Sequence, residues 1–449
     1  MTSDYLRRWT PERLRAQLRS SELRLGALAC AAYFFALLAY YLLKTTREPL
    51  VLATGGAMLK SASTGAQAMV LLAVLPLHAK LAGKLSVRKL VRATGLLLLG
   101  GIVLFALAAP FRPRGLGAAF YVFTGIFGVG AIAELGALLT DVVDPAHSRR
   151  VLPVAIVGAT VGGIAGSSLA GYLFESGVRT QGLLVAAALA FAVHLVFVER
   201  LGARAASGEA RSDFDERPIP ARDGFALVFA SPSLRAFALL VLVANLINTN
   251  GELVLAERVA DAARSTFDAA GLHAGMDRSV FLEREIGQFY GRFFTGVNLA
   301  TVLLQLAFAG ALARAGGARL LLLVPAFVSL GVYAVAGLGA ALSVFHAAKT
   351  IENATDYSFG ATGRTLTWVD TSRESRLAAK PVIDTFFVRV GDLFAAATIA
   401  AGAALGFSAT AFAWMNVGLA VAAVCLVLLV TMPDSFRVRV LAPFSRRPG

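Results

Sequence analysis

The sequence has few charged residues and almost no cysteine. Asp, Glu, Lys and Arg make up 16% of its 449 residues, against about 25% in soluble domains, which argues against a soluble globular fold. The two cysteines, Cys30 and Cys425, both lie inside apolar runs, which excludes a disulfide framework and a Cys-x-x-Cys metal site. Residues 1–24 carry six arginines without an apolar core or cleavage site, so we predict a retained basic tail instead of a signal peptide.

Common catalytic and metal-binding motifs are also missing. The five histidines show no His-Glu-x-x-His spacing, and no glycine-rich stretch ends in the Gly-Lys-Ser/Thr of a phosphate loop. Gly158, Gly162 and Gly166 recur every four residues, which predicts close packing of one helix face against a neighbouring helix. We predict no enzymatic activity, no cofactor and no metal site.

Apolar runs fill most of the chain, of which 57% is hydrophobic. Runs of about 20 residues match the length that a helix needs to cross a hydrocarbon layer of about 30 Å. They predict twelve membrane-spanning helices, six on either side of a polar linker. The predicted spans are 25–43, 62–83, 90–110, 117–140, 150–174, 181–199, 233–255, 287–312, 318–337, 340–363, 379–404 and 409–432.

The distribution of Lys and Arg predicts the orientation. The net charge of +14 is concentrated in segments on the side of both termini, which the positive-inside rule places in the cytoplasm. It forms no single patch, so we predict no nucleic-acid partner. We expect a monomeric, multi-pass protein of the inner cell membrane, surrounded by lipid. Its segments are a cytoplasmic N-tail (1–24), a six-helix bundle (25–199), a cytoplasmic linker (200–232), a second bundle (233–432) with a solvated outer insertion (256–286), and a cytoplasmic C-tail (433–449).

The two halves carry similar local signals. A basic segment follows the second span at 84–89 and the eighth span at 314–319. A Ser-Arg pair followed by proline occurs at 148–153 and again at 375–381. These features resemble the major facilitator architecture, an all-α membrane fold of two pseudo-symmetric six-helix bundles. The resemblance implies a substrate site between the bundles, near the middle of the membrane.

Ionisable residues inside the spans are the candidates for function, because each costs at least about 2.5 to 3.5 kcal/mol in hydrocarbon. In the tenth span a polar row follows spacings of three or four and shares one helix face. The row consists of His346, Lys349, Asn353, Asp356, Gly360 and Arg364, with Glu352 beside it. It predicts either a cavity wall or a self-neutralising set in which Lys349 pairs with Glu352.

Other spans contribute further polar groups. The seventh has a row that ends in a carboxylate, which could bind a proton or a cation or be protonated and satisfied by asparagine. The eleventh has two pairs of opposite charge at spacings that allow contact, and the fourth has one isolated acid. These residues are Asn245, Asn248, Thr249 and Glu252 in the seventh span, Lys380, Asp384, Arg389 and Asp392 in the eleventh, and Glu134 in the fourth.

Lys44 and Arg47 follow the first predicted span, just before Pro49. Pro49 could end the helix in the interface. A tilted or offset helix would instead place Lys44 and Arg47, one turn apart, on a cavity wall. Periodicity alone does not decide between the two arrangements.

Five segments resemble the ATP/ADP translocases of plastids and intracellular bacteria and their bacterial relatives. Lys44-Thr-Thr-Arg47-Glu48-x-Leu50-Val51 is similar to the family motif Arg-Asp-Thr-Lys-Asp-x-Leu-Val, with Arg47 in place of a functional lysine. The other matches are Ala133-Glu134-Leu135, Asn250-Gly-Glu252 with Arg258, Asn353-x-x-Asp356-Tyr357 through Arg364, and Lys380-x-x-Ile383-Asp384 with Gly391. The resemblance implies nucleotide transport. The candidate substrate-binding residues are Lys44, Arg47, Glu134, Asn250, Glu252, Lys349, Asn353, Asp356, Tyr357, Arg364, Lys380, Asp384, Arg389 and Asp392.

Asp392 departs from that family, which carries a phosphate-contacting lysine after the glycine. We predict an ion pair of Asp392 with Arg389 and weaker recognition of di- and triphosphates. Together, residues and resemblance predict a transporter of an anionic solute, with a nucleotide the leading case. The alternatives are a proton-coupled carrier of another anionic or amphiphilic solute and a non-transporting membrane scaffold. The candidate anion-binding bases are Lys44, Arg47, Lys349, Arg364, Lys380 and Arg389.

Overall fold

The computed structural model describes residues 21–82, 84–143, 145–205, 221–269, 277–369 and 371–432. Most of the predicted N-tail, the middle of the linker and the C-tail lie outside these ranges. Nine helical runs within them are long and apolar enough to cross a membrane. Two of those runs each contain two helices, and a more polar helix completes the set of twelve. The chain is thus an all-α membrane protein of two six-helix halves, as predicted.

The first half contains α1 to α6. The run Ser21–Ala82 comprises α1 (21–55) and α2 (57–82), which meet at Gly56. The others are α3 (Val87–Ala108), α4 (Leu116–Val142), α5 (Pro145–Glu175) and α6 (Thr180–Ala205). A short linker helix, Ala221–Ala230, leads into the second half.

The second half contains α7 to α12. α7 is Pro232–Ala269, and α8 (278–316) and α9 (318–337) meet at Gly317. α10 joins Leu342–Thr355 to Ala361–Val369 through a π-helical turn at Asp356–Gly360. α11 joins Arg373–Pro381 to Val388–Ala404 through a π-helical turn at Val382–Phe387, and α12 is Ala409–Val430.

Two glycines make the sharpest bends. Gly56 has φ +64° and Gly317 has φ +57°, a left-handed conformation in which a side chain would be strained. Each glycine lets one helix stop and the next begin without a loop. The predicted loops at these two positions are therefore reduced to single-residue breaks.

The predicted end of the first span near residue 43 is wrong. α1 continues through Pro49 as far as Gly56, because a membrane helix tolerates a proline when neighbouring groups satisfy the freed backbone. Lys44 and Arg47 therefore sit well inside α1. Of the two arrangements that the sequence left open, the structure has the one with both residues on a helix within the bundle.

Most of the predicted outer insertion at 256–286 is helical. Residues 256–269 continue α7, and α8 already begins at Arg278. Val259, Ala263 and Phe267 are buried because the charged residues of this segment alternate with apolar ones at helical spacing and leave one face free to pack. The described parts of the segment, 256–269 and 278–286, thus extend two bundle helices.

The glycine row of α5 packs as predicted. Backbone carbonyl groups of α1 lie so close to Gly158, Gly162 and Gly166 that a Cβ at any of them would collide. Glycine is needed here for close approach. The α1 residues that supply those carbonyls are Cys30, Phe34 and Leu38.

The side of the membrane on which each segment lies stays a prediction. Ser265 is an exposed residue of α7, and Ser207 belongs to the predicted cytoplasmic linker. With Cys30 and Cys425 replaced by alanine, we expect a membrane-impermeant thiol reagent to label Ser265→Cys from outside intact cells. Ser207→Cys should react only after the cells are opened. Labelling of both from the same side would contradict the topology.

Candidate functional site

A polar cavity of about 350 Å³ lies between the two halves, near the middle of the helices. α1, α2 and α4 form one wall, and α7, α8, α10 and α11 form the other. The volume is at the lower end of the range of small-molecule sites. Its main lining residues are Tyr40, Lys44, Arg47, Thr64, Gln67, Tyr121, Asn245, Asn248, Thr249, Glu252, Phe294, Tyr357, Arg389 and Asp392.

Two cations of α1 face this cavity. The Lys44 Nζ lies 4.4 Å from the ring centre of Phe294 and 6.0 Å from that of Tyr357. No carboxylate oxygen of the described residues lies within ion-pair distance of Lys44. The Arg47 Cζ lies 4.3 Å from the ring centre of Tyr121. Cations over aromatic faces are held without being neutralised, so the Lys44 ammonium keeps its charge available to a ligand.

A row of buried ion pairs links the first half to the second half beside the cavity. Arg47 Nε donates to Glu48 Oε1 at 2.8 Å, and Lys60 Nζ lies 2.8 Å from Glu48 Oε2 and 3.0 Å from Glu252 Oε2. Lys60 also donates to the Tyr290 hydroxyl at 3.4 Å. Because Glu48 belongs to the first half and Glu252 to the second, Lys60 bridges the halves at the cavity wall.

Sequence reasoning missed Lys60. The residue fell in a segment assigned to a loop, between the predicted first and second spans. The signal that could have found it is the polar row Lys60, Thr64 and Gln67 at spacings of four and three, which shares one face of α2. Thr64 and Gln67 line the cavity, and Lys60 is buried one turn before them, in contact with the cavity residue Glu252.

The predicted pair of Arg389 and Asp392 is confirmed. Arg389 Nη1 lies 2.8 Å from Asp392 Oδ2, and both residues line the cavity. Asn245 and Thr249 of α7 donate to Asp392 Oδ1 at 2.6 and 3.0 Å. The polar row of α7 therefore faces the cavity, and much of it is engaged in holding this carboxylate.

The polar row of α10 is divided among three places. Lys349 is fully buried, donates to the Tyr333 hydroxyl at 2.9 Å and pairs with Glu352, which is the self-neutralising alternative. Asp356 pairs with Arg364 at 3.0 Å, and both line a second cavity of about 60 Å³ inside the second half, together with Asn353. Of the α10 candidates, Tyr357 reaches the central cavity.

Four further candidates lie away from the lining of the central cavity. Glu134 is buried and accepts a hydrogen bond from Thr94, so it links α4 to α3. Asn250 donates to Asn416 at 3.3 Å and links α7 to α12. Lys380 and Asp384 form a half-exposed pair at 3.1 Å near the start of α11. We leave these four, with Lys349, out of the set that we expect to touch a ligand.

Arg258, the basic residue that follows Glu252 in the matched segment, has a structural role. Its Nη1 and Nη2 both donate at 2.7 Å, to the carbonyls of Ala340 and Ala336. These carbonyls lie at and just beyond the end of α9, where backbone acceptors lack helical partners. Arg258 therefore ties the C-terminal part of α7 to that end.

Polar contacts join the two halves at the end opposite the linker helix. Arg112 pairs with Glu283 at 3.1 Å, and Thr180 donates to the same carboxylate at 2.9 Å. Arg284 donates to the Glu175 carbonyl at 2.9 Å. Each contact joins the first half to α8. Nearer the middle of the helices, Tyr41 of α1 donates to Asn298 of α8 at 2.8 Å.

The two six-helix halves with a polar cavity between them form a major facilitator-type fold. Solved structures agree. A nucleoside transporter, NupG, has a TM-score of 0.60 at 13% identity, over 95% of this chain and 99% of that one. The POT family transporter PepTSo has a TM-score of 0.62 at 13% identity, over 94% and 98%. The E. coli fucose:proton symporter FucP has a TM-score of 0.55 at 14% identity, over 92% and 100%.

These likenesses establish the fold alone. No family model matches the chain, and a search of curated proteins gives no significant match. The resemblance to ATP/ADP translocases therefore stays a hypothesis based on the motifs themselves.

Proposed function

We propose that the protein is a transporter that moves an anionic solute by alternating access of the two halves, with a nucleotide as the leading candidate. The observation that carries the proposal is the position of Lys44 and Arg47 in the cavity wall. Lys44 has no carboxylate partner among the described residues. Arg47 uses Nε for Glu48, which leaves its other nitrogens as donors. An ammonium and a guanidinium one turn apart are suited to a phosphate group.

The aromatic residues support a solute with a flat ring. Tyr40, Tyr121, Phe294 and Tyr357 line the same cavity as the two cations. Aromatic side chains stack on nucleobases, with about 1 to 3 kcal/mol per base. A phosphate near Lys44 and Arg47 with a base against these rings would use both features of the site. The scaffold alternative gives no reason for charged and aromatic residues to line an internal cavity.

A proton-coupled carrier is the second candidate, and Glu252 favours it. This carboxylate lines the cavity and shares Lys60 with Glu48 of the other half. Movement of the halves would separate Glu252 from Lys60, and an unpaired carboxylate in a membrane interior favours protonation. In proteoliposomes, uptake driven by an imposed proton gradient would favour this candidate, whereas uptake that requires internal nucleotide would favour exchange.

Neutralising either cation should weaken binding of the anionic solute. We expect Lys44→Gln and Arg47→Gln each to raise the Kd for nucleotide at least about tenfold, because a hydrogen bond to a charged group contributes about 1.5 to 3 kcal/mol. Thermal shift in detergent provides the measurement, since a ligand at 100 times its Kd stabilises by about 2.7 kcal/mol.

Two controls make this test specific. Arg314→Gln removes an exposed arginine next to the α8–α9 bend and should leave the Kd unchanged. Affinity for the uncharged nucleoside should change little in Lys44→Gln and Arg47→Gln. Equal losses in all three variants, or tighter binding of nucleoside than of nucleotide by the wild type, would contradict an anionic substrate.

A further inference from the structure

A second site, separate from the transport cavity, lies on the outside of the first half. A groove of about 520 Å³ runs between α3 and α6, at the end where the linker begins. Arg88 and Arg92 of α3 face Glu199 and Arg200 of α6 across it, and Leu96 and Val196 continue its walls toward the middle of the helices. None of these residues lines the central cavity.

The head of the groove carries more positive than negative charge. Arg88 Nη2 lies 3.4 Å from Glu199 Oε2, and Arg92 Nε lies 3.2 Å from Glu199 Oε1. One carboxylate is thus shared by two guanidinium groups, and Arg200 adds a third. The three arginines and one glutamate leave a net charge of +2 at this point.

The arginines are held in place but remain accessible. The stem of Arg88 lies against Gly202, where its Cδ would be 3.3 Å from an added Cβ. The side chains of Arg88 and Arg92 are 45% and 66% exposed. A ligand at the head of the groove therefore meets guanidinium groups that α6 has already oriented, at a small cost in side-chain entropy.

The walls of the groove are apolar and face away from the bundle. Leu96 is 55% and Val196 49% exposed, on helices whose outer faces lie in hydrocarbon. A soluble anion would gain nothing from these walls, whereas an acyl chain fits them. The positive charge at the helix ends and the apolar walls of the groove match the charged and the apolar part of a single amphiphilic molecule.

From this geometry we propose that the groove between α3 and α6 binds an anionic phospholipid, with the phosphate at Arg88, Arg92 and Arg200 and an acyl chain along Leu96 and Val196. Basic pockets between membrane helices bind lipid head groups through the same charge-assisted contacts. With the predicted orientation, the lipid belongs to the cytoplasmic leaflet. The net charge of +2 suits a lipid with two phosphates, such as cardiolipin, better than one with a single phosphate.

Native mass spectrometry of the purified, delipidated protein tests the proposal. Cardiolipin, phosphatidylglycerol and phosphatidylcholine are added at equal concentrations. We expect at least about tenfold more bound cardiolipin than phosphatidylcholine, with phosphatidylglycerol between them. The triple variant Arg88→Gln, Arg92→Gln, Arg200→Gln should lose this preference. The double variant Arg314→Gln, Arg319→Gln, with two exposed arginines near the start of α9, should keep it.

A single variant and a competition with inorganic phosphate complete the test. If the triple variant does not fold, Arg200→Gln alone, which removes no described ion pair, should lower cardiolipin retention about threefold. Added inorganic phosphate should not displace the lipid. Equal retention of all three lipids, an unchanged preference in the triple or single variant, or displacement by phosphate would overturn the assignment.

Discussion

Replacing Lys60 by methionine is expected to destabilise the protein by about 3 to 5 kcal/mol. Lys60 is 3% exposed, and Glu48, its partner at 2.8 Å, is fully buried. Removing one member of a buried ion pair leaves an uncompensated charge, whose cost is of this size. Methionine keeps the length and apolar stem of lysine, so packing changes little. Thermal unfolding of the detergent-solubilised protein gives the measurement.

The loss of stability in Lys60→Met should depend on Glu48 and Glu252, the carboxylates that pair with Lys60. Arg47 Nε lies 2.8 Å from Glu48 Oε1 and should still neutralise Glu48 in the variant, while Glu252 loses its closest cation. We therefore expect Glu252→Gln to restore part of the stability of Lys60→Met, since the double variant removes the unpaired charge as well. Lys80→Met changes an exposed lysine of the same helix and should shift stability by less than about 0.5 kcal/mol. Equal stability of Lys60→Met and Lys80→Met would show that the bridge contributes nothing.

Lys60 also explains why the network could not be predicted from sequence. Its partner Glu252 lies 192 residues away in the other half, and periodicity within one helix contains no information about such a contact. The hydropathy pattern misplaced the helix as well. Lys44, Arg47 and Glu48 interrupt the apolar run, so a search for apolar windows ends the first span too early. Inside the bundle Arg47 pairs with Glu48, and Lys44 lies against aromatic rings.

α10 shows a different reason for incomplete prediction. Spacings of three and four correctly place its polar residues on one side, but they assume a uniform α-helix. The π-helical turn at Asp356–Gly360 adds a residue to one turn and shifts the register of the residues beyond it. Tyr357 directly follows Asp356, so the two side chains point in different directions. Tyr357 reaches the central cavity, whereas Asp356 and Arg364 face the second one.

The spans and the α7 row were predictable because both depend on local sequence. Runs of about 20 apolar residues mark helices whichever partners they meet. Asn245, Asn248, Thr249 and Glu252 lie on a regular α-helix and share the cavity wall as predicted. The ion pair of Arg389 and Asp392 could also be predicted from sequence, because residues three apart on one helix can contact each other whatever the fold.

Removing the charge of Asp392 should increase affinity for polyphosphates. Asp392 neutralises Arg389 at 2.8 Å in the cavity wall, so this arginine presents little net charge to a solute. In Asp392→Asn the side chain keeps its shape, and an amide oxygen in the place of Oδ1 still accepts from Asn245 and Thr249. The guanidinium would then be free to attract phosphate. We expect the Kd for nucleoside triphosphate to fall about tenfold, which corresponds to about 1.4 kcal/mol.

The gain in affinity caused by Asp392→Asn should increase with the number of phosphates on the nucleotide. Two unit charges 4 Å apart interact by about 4 kcal/mol at an effective dielectric constant of about 20, so each additional phosphate that approaches Arg389 strengthens the gain. Titration of the mono-, di- and triphosphate of one nucleoside measures this series. Asp384→Asn is the matched control, because Asp384 lies on the same helix in a half-exposed pair with Lys380. A gain that is the same for all three nucleotides, or that Asp384→Asn reproduces, would remove the Arg389 and Asp392 pair from phosphate selection.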